Sequence, residues 1–559
     1  MNKQIETVIN YHNRTKHSLE RYAKGPETLD WEDQPDQFRH FSGCEIITLP
    51  TPGAELEPLF ADLDKPETIP AQPLTRINVG LLLELAFGLS AWKQFGPSRW
   101  ALRCNPSSGN LHPTEAYLIS TGADYIAPGV YHYVSHDHSL EQRCRFSDNL
   151  IDSDLLIGLS SVHWREAWKY GERAYRYCQH DTGHALGALR YAAATLGWSV
   201  ELQADCSDED IARLLGLDRT DDFKKREQEY PDILCRINTN CGISPPLPSG
   251  EACPELSRRG RGEGFQKSTN HERPQYIKDL IEAAQSGAWF GKADSLRAYH
   301  LYNWPIIDEV AIAATKPQTE EPAWQAVRQP LLTSRCTKTA TAIIRQRRSA
   351  QQFDGKMSPM PQADFYRLLA AVLPTTAAFE LWPWPPKIHL FIFVHRVDGL
   401  APGLYALPRS PDALPTLQAA TLADFDWQPV SDDIPLYHLD TGDCRVVVKT
   451  LSCHQPIASD SAFSLGMVAE FGASLAVAPW LYRRLFWECG LIGQTLYLEA
   501  EAAGVRGTGI GCYFDDSVHE LLGFKGNQFQ SLYHFTVGKP LEDKRLETFP
   551  AYGHLNDID

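Results

Sequence analysis

Four short stretches of this sequence combine residue types that chemistry uses. Residues 103–113 read RCNPSSGNLHP. A Pro-Ser-Ser-Gly-Asn turn offers two hydroxyls, an amide and exposed backbone N–H groups, a set suited to the edge of a planar heterocycle. The same residue types also dominate ordinary tight turns. Residues 345–354 read RQRRSAQQFD. Arg347 and Ser349, at an i, i+2 spacing, can reach one phosphate together, the guanidinium forking onto its oxygens and the hydroxyl adding a donor. A solvated basic helix end is the plain alternative. Residues 504–514, GVRGTGIGCYF, carry glycine at 507, 509 and 511. A dinucleotide fingerprint needs a strand before it and a helix straight after. Here a helix is expected before and an extended stretch after. What remains is backbone, at Gly509, Ile510 and Gly511, that can approach a ligand closely. Residues 168–177, WKYGERAYRY, place Lys169 beside Tyr170. That is a proton-transfer pair if one member is partly buried, or a snorkelling lysine on an amphipathic helix. Histidines at 180 and 184 face together at i, i+4, but no third ligand is spaced nearby, so no metal is expected.

The elements that must position these residues come in two sets. Residues 181–197 (DTGHALGALRYAAATLG) align without a gap to residues 488–504 (ECGLIGQTLYLEAEAAG), an offset of 307. The same order of echoes continues in IARLLGLD (211–218) against VHELLGFK (518–525), and in APGVYHY (127–133) against APGLYAL (401–407). Repeats in one order predict a duplicated domain. Each half reads as α+β. Helices are expected near 79–90, 163–180, 182–196, 362–372 and from Pro479 to about 503. Strands are expected at EAYLIS, GVYHYV, WSVEL, KIHLFIFVHR and SLYHFTVGK. Gly183 and Gly187 on one helix, and Gly490 and Gly493 on the other, predict a close helix–helix seam between the halves. The boundaries follow: an N-terminal arm over 1–70, a first domain over 71–244, a connector with short helices over 245–337, and a second domain over 338–559. The basic run 258–261 reads as a solvated loop within that connector.

Composition narrows the class. At 559 residues more than one domain is expected. A net charge of −17 disfavours a protein that grips nucleic acid by its phosphates. The start, MNKQIETVINYHNRTKH, has no apolar signal core, and the apolar stretch 79–92 is interrupted by Glu84 and too short to span a bilayer. The 13 cysteines form no CxxC pair. A cytoplasmic chain with reduced thiols, no membrane partner and no nucleic-acid partner is therefore expected.

Together, the motifs at 103–117, 169–197 and 347–354 resemble the nitroreductase superfamily of FMN enzymes, specifically its SagB-type dehydrogenase branch, which includes azoline oxidases. The resemblance covers about 10–40, 74–217 and 339–550. It implies two tandem nitroreductase-like α/β sandwich domains forming a pseudo-dimer within one chain, so that a monomer suffices. In that family FMN sits at the dimer interface. The Arg-x-Ser motif of one subunit takes the phosphate, and the Pro-Ser-Ser turn and covering helix come from the other. Carried over, cofactor binding falls to Arg347, Ser349, Gln351, Arg103, Pro106, Ser107, Ser108, Asn110, Gly509, Ile510 and Gly511, and catalysis to Lys169 and Tyr170. The family often has a basic residue where this chain has Gln351. Lys544 and Arg545 resemble its C-terminal basic residues.

The resemblance also implies one FMN per chain. The first half has no Arg-Arg-Ser before its helix at 79, and the second half reads LWPWPPK (381–387) where Pro-Ser-Ser would stand. The offset sets Ala476 and Val477 opposite Lys169 and Tyr170. The expected activity is hydride transfer at flavin N5, as a dehydrogenase or oxidase of a peptide or small molecule. A reductase taking electrons from NAD(P)H, and a non-catalytic peptide-binding scaffold, are the alternatives.

Overall fold

The computed structural model describes residues 2–50, 53, 55–122, 124–147, 154–239, 273–297, 299–322 and 324–555. The basic run 258–261 and most of the polar stretch around it lie outside the described residues. The first half is built on an antiparallel sheet of β1 (Thr114–Ser120), β2 (Gly129–Val134), β3 (Ser139–Arg145), β4 (Leu155–Ser161), β5 (Ser199–Leu202) and β6 (Tyr230–Asn238). Its strands run in the order 3-2-1-4-6-5. The second half has β7 (Ile388–Val394), β8 (Gly403–Leu407), β9 (Tyr437–Thr441), β10 (Phe463–Ala469), β11 (Arg506–Ile510) and β12 (Gln530–Gly538). Their order, 9-8-7-10-12-11, repeats the first strand for strand.

Every position of β1, β4, β7, β10 and β12 is buried. Runs such as IHLFIFV have no polar face to turn to water, so both faces of each sheet must be covered. Six helices carry most of the argument: α1 (Lys3–Arg14), α2 (Arg76–Phe87), α3 (His163–Tyr170), α4 (Ala174–Thr195), α5 (Gln362–Ala371) and α6 (Leu481–Ala502). One hydrophobic core runs through the inner faces of both sheets together with α4 and α6, and a separate cluster fills the outer face of each sheet. No described helix is long and apolar enough to cross a membrane.

The helix seam is where the small residues predict it. A Cβ on Gly183 would lie 2.2 Å from the carbonyl oxygen of Trp487, and one on Gly490 would lie 2.2 Å from that of His180. The obstacle in each case is backbone of the facing helix, which no side-chain rotation relieves. The helix break differs from expectation. The chain does not break near Asp181; α4 passes through it, and the interruption falls at Gly171, whose φ of 54° ends α3. Gly183 serves the crossing and not a turn.

The arm and connector do not stand apart. From α1, the Tyr11 hydroxyl donates to the Glu172 carbonyl at 2.7 Å, while His12 meets the Tyr482 hydroxyl and the Gln530 amide. The first segment thus fastens one half to the other. From the connector, Ala288–Trp289 pairs with β3, as does Glu45–Thr48 from the arm. Helix Arg273–Ser286 packs Leu280 and Ala284 into the outer cluster of the first half. Near the C-terminus, Glu547–Phe549 joins the hairpin Leu89–Phe95/Ser98–Arg103, so a strand from the far end completes a flap on the first half.

This crossing generates a prediction. Gly490→Ala should destabilise the chain by about 2 kcal/mol or more, the cost of forcing a packed seam apart, and lower its urea midpoint. Gly442→Ala, with nothing within 4 Å of the added methyl, should stay within about 0.5 kcal/mol of the parent. Equal midpoints for the two variants would show that the helices are free to separate.

Candidate active site

A cavity of about 420 Å³ opens where the two halves meet. That lies within the range of roughly 300–1,000 Å³ usual for ligand pockets. Its walls take Arg103, Pro106, Ser107, Ser108, Asn110 and Tyr170 from the first half, and Arg347, Ser349, Gln351, Gly509, Ile510 and Gly511 from the second. Residues as far apart in sequence as Arg103 and Gly511 therefore share one space.

The turn at 106–110 is held from beneath by α4. Asp181 accepts from the Ser108 N–H at 3.1 Å and from its hydroxyl at 3.2 Å. The Ser107 hydroxyl accepts from the His112 N–H at 2.8 Å, and the Asn110 amide donates to the Ala101 carbonyl at 2.9 Å. The side chains expected to meet a ligand thus build the turn itself. Burial pushes the Asp181 carboxyl up to about 7, against the hydrogen bonds from Ser107 and Ser108.

Lys169 and Tyr170 end α3 against this turn. A Cβ on Gly109 would meet the Tyr170 hydroxyl at 2.6 Å and the Lys169 Nζ at 3.1 Å. Tyr170 lines the cavity; Lys169 does not, its ammonium standing 5.5 Å from the Tyr170 ring centre. Burial holds the Tyr170 hydroxyl well above its ordinary value, and nearby Glu166 adds to this.

Arg347 is buried at 4% exposure. Its Nε donates to the Cys104 carbonyl at 3.2 Å and Nη2 to the Arg103 carbonyl at 2.7 Å, which ties the second half to the chain just before the turn. Its guanidinium also lies over the Tyr497 ring at 5.2 Å. The Ser349 hydroxyl bonds the Tyr497 hydroxyl at 2.8 Å, and that hydroxyl accepts from the Gly509 N–H at 2.9 Å. Arg345 points elsewhere, onto Glu84 and Glu55. Arg103 is buried, donating to the Gln37 carbonyl at 2.5 Å.

Gly509 of β11 and Gly511 just after it have a packing reason. A Cβ on Gly509 would fall 1.8 Å from the Tyr533 hydroxyl, and one on Gly511 would fall 2.1 Å from the Tyr177 ring. One face of the strand is stripped of side chains because aromatic rings from β12 and α4 occupy it.

Lys544 and Arg545 are not among the cavity residues. Asp543 captures the Arg545 guanidinium at 2.7 Å, leaving that arginine 74% exposed over the Phe95 ring. Besides Arg347 and Arg103, the basic side chains Lys93, Arg348 and Arg506 line the cavity, and these three the motif reading passed over. Arg348 is the middle residue of the Arg-x-Ser motif and Arg506 lies within the glycine stretch, so both signals were present in sequence; Lys93, on the flap, had none. Tyr177, Asp181, His184, Tyr497 and Tyr533 were missed as well, because they belong to helices and a strand that read as core. His180 and His184 are engaged with Tyr533, the first stacked at 4.2 Å and the second bonded to its hydroxyl at 3.1 Å.

The related position across the seam is built differently. Glu488, the residue 307 after Asp181, accepts from the Lys387 N–H at 2.9 Å, so the turn at 381–387 is anchored as its counterpart is. Trp384 stands in that turn, with the Arg484 guanidinium 3.7 Å above its ring. A wider cavity of about 1,210 Å³ beside it is lined by six carboxylates, including Glu201, Asp205 and Glu380, against two basic side chains, Lys278 and Arg328.

Residues 344–539 match the family model described as Nitroreductase family. A curated relative, "Putative nitroreductase MJ1384" of Methanocaldococcus jannaschii, is 22% identical over 182 residues, 30% of this chain and 82% of its own. Among solved structures, the Anabaena variabilis ATCC 29413 protein named as a putative nitroreductase is 22% identical, with a TM-score of 0.62 covering 96% of this chain and 99% of that one. That likeness is one of fold, and it runs the full length of both chains. Residues 344–539 thus carry a domain that matches the nitroreductase family model, and the chain shares the fold of the Anabaena variabilis protein over 96% of its length.

Proposed function

We propose that this protein is a flavin-dependent oxidoreductase of the SagB-type dehydrogenase kind, with one FMN site per chain, acting on a small-molecule or peptide substrate. The observation that carries this reading is the convergence, in one cavity, of Arg347 and Ser349 from one half with the 106–110 turn and Tyr170 from the other. The residues fit such a cofactor. Arg347, Arg348, Arg506 and Lys93 suit a phosphate; the backbone of the turn and of residues 509–511 suits the edge of a flat ring system. When bound, the flavin supplies a two-electron hydride acceptor or donor at N5, chemistry no side chain offers. The acidic lining across the seam is unsuited to a phosphate, which favours one cofactor and not two. Both walls belong to one chain, so no second copy is needed to complete the site.

Within the catalytic pair the roles divide. Tyr170 opens on the cavity with its hydroxyl kept protonated by burial, so Oη relays the proton that substrate oxidation releases, taking it up while passing its own to water. Lys169, packed behind it against Gly109, sets the ring and adds positive charge nearby.

Three predictions follow from this geometry. Purified protein should bind FMN at about one equivalent per chain. Arg347→Ala should weaken binding roughly 10–100-fold, the loss of a charged donor worth about 1.5–3 kcal/mol. Arg345→Ala should change binding far less, because that side chain serves Glu84 and Glu55. Fluorescence titration with FMN checks all three, and two equivalents per chain would overturn the single-site reading.

Tyr170→Phe should keep its flavin and its rate of reduction by dithionite. Reduction by substrate should slow about 10²–10⁴-fold, the usual size of a general acid–base contribution. Rates within twofold of the parent would make Tyr170 structural.

Asp181 gives a pH signature. The unfolded carboxyl loses its proton near pH 4 (~3.9), whereas the folded one keeps it until about 7. Between those values the folded state binds more protons, so this group costs stability as pH rises from about 4 to 7 and nothing further above. Asp181→Asn lacks the ionisation. Its urea midpoint should therefore rise relative to the parent across that window, and a pH-independent difference would place the proton elsewhere.

A further inference from the structure

Cys512 follows Gly511 and also lines the cavity. Its Sγ lies 2.7 Å from that of Cys453, 59 positions earlier, in the turn after helix Arg445–Leu451. Both thiols are half-buried. The backbone on either side is fastened: the Gln455 amide donates to the Cys512 carbonyl at 3.2 Å, and the Phe514 N–H donates to the Leu451 carbonyl at 2.8 Å. A sulfur–sulfur bond of ~2.05 Å is thus reached with sub-ångström movement of two side chains.

The surroundings separate the two sulfurs into different roles. His17 and the Arg173 guanidinium stand beside Cys512, the latter donating to the Gly511 carbonyl at 3.2 Å. The Cys512 thiol is pulled down, first by the hydrogen bond from Cys453, then by His17 and Arg173, with burial opposing. Cys453 is pushed up by the same contact and by burial. The other cysteines differ: burial drives Cys104, Cys144 and Cys206 up to about 12. A thiolate attacks and a neighbouring thiol resolves; this is the arrangement disulfide exchange requires.

We propose that Cys453 and Cys512 form a reversible thiol–disulfide site on the cavity wall, oxidised by a low-molecular-weight disulfide. The Cys512 thiolate attacks one sulfur of that disulfide and expels a thiolate, leaving a mixed disulfide on Cys512. Cys453 then attacks the Cys512 sulfur, gives its proton to water, and expels the second thiolate. The two protein thiols are oxidised by two electrons, and the small disulfide is reduced to two thiols. The new bond ties the 452–455 turn to the wall that carries Gly509 and Gly511.

The test uses the full chain, reduced with a phosphine, freed of it, exposed to oxidised glutathione, blocked with N-ethylmaleimide and mapped by peptide mass. The expected product is a peptide pair joining Cys453 to Cys512 that disappears on phosphine treatment. Cys453→Ser removes the resolving thiol, so glutathione should accumulate on Cys512. Cys512→Ser should leave Cys453 carrying maleimide only. In the reduced parent, Cys512 should alkylate roughly tenfold or more faster than half-buried Cys444, whose thiol burial pushes up to about 11. The proposal is overturned if both cysteines of the oxidised parent carry maleimide, if Cys453→Ser shows no glutathione on Cys512, or if Cys444 reacts as fast as Cys512.

Discussion

The crossing of α4 and α6 is the contact on which the rest of the molecule depends. Gly183 and Gly490 bring two 22-residue helices to backbone contact, each glycine lying where the other helix's carbonyl leaves no room for a methyl group. That distance sets where everything on the two helices falls. Tyr177, Asp181 and His184 reach the cavity from α4, and Tyr497 reaches it from α6. Interiors pack as densely as organic crystals, so a seam one methyl wider would shift every group that rides on it.

Around that seam, buried charge is organised to hold pieces of chain rather than to float free. Asp515 is fully buried and held well below the usual carboxylate range by Arg173 and Arg176 of the other half, despite its burial. Arg367 clasps Glu499 at 3.0 Å and Asp64 at 2.7 Å, joining α5, α6 and the arm. Such clusters stand only when each charge keeps its partners, since an uncompensated buried charge costs several kcal/mol. They explain why the arm belongs to the body of the fold even though no period in its sequence announces it.

Much of this was legible beforehand, and the reasons are specific. The seam could be read because glycine at helical spacing has few other uses, and the repeat at an offset of 307 could be read because both helices kept it. The cavity residues of the 103–113 and 345–354 motifs could be read because their types are unusual together. What could not be read was division of labour. Ser107, Ser108 and Asn110 looked like ligand groups, yet they close their own turn and rest on Asp181. Gly509 and Gly511 do line the cavity, but the reason for their missing side chains, the Tyr533 and Tyr177 rings brought in from distant segments, was not visible in sequence. Lys544 and Arg545 looked like phosphate ligands, but Asp543, two residues before Arg545, takes its charge. Long-range partners decide these cases, and a linear sequence does not list them.

The two halves share a strand order, yet they are one covalent chain, and this alters what a substitution does. In a pair of identical subunits related by a two-fold axis, each change is made twice, so a residue that suits one interface position must be tolerated at its twin. Here Trp384 occupies one side of the seam while the Pro-Ser-Ser turn stands on the other, and Ala476 and Val477 answer Lys169 and Tyr170. Each side is written once and can drift alone. Freed from symmetry, one side can keep a basic, turn-lined cavity while the other carries a wider, acidic one.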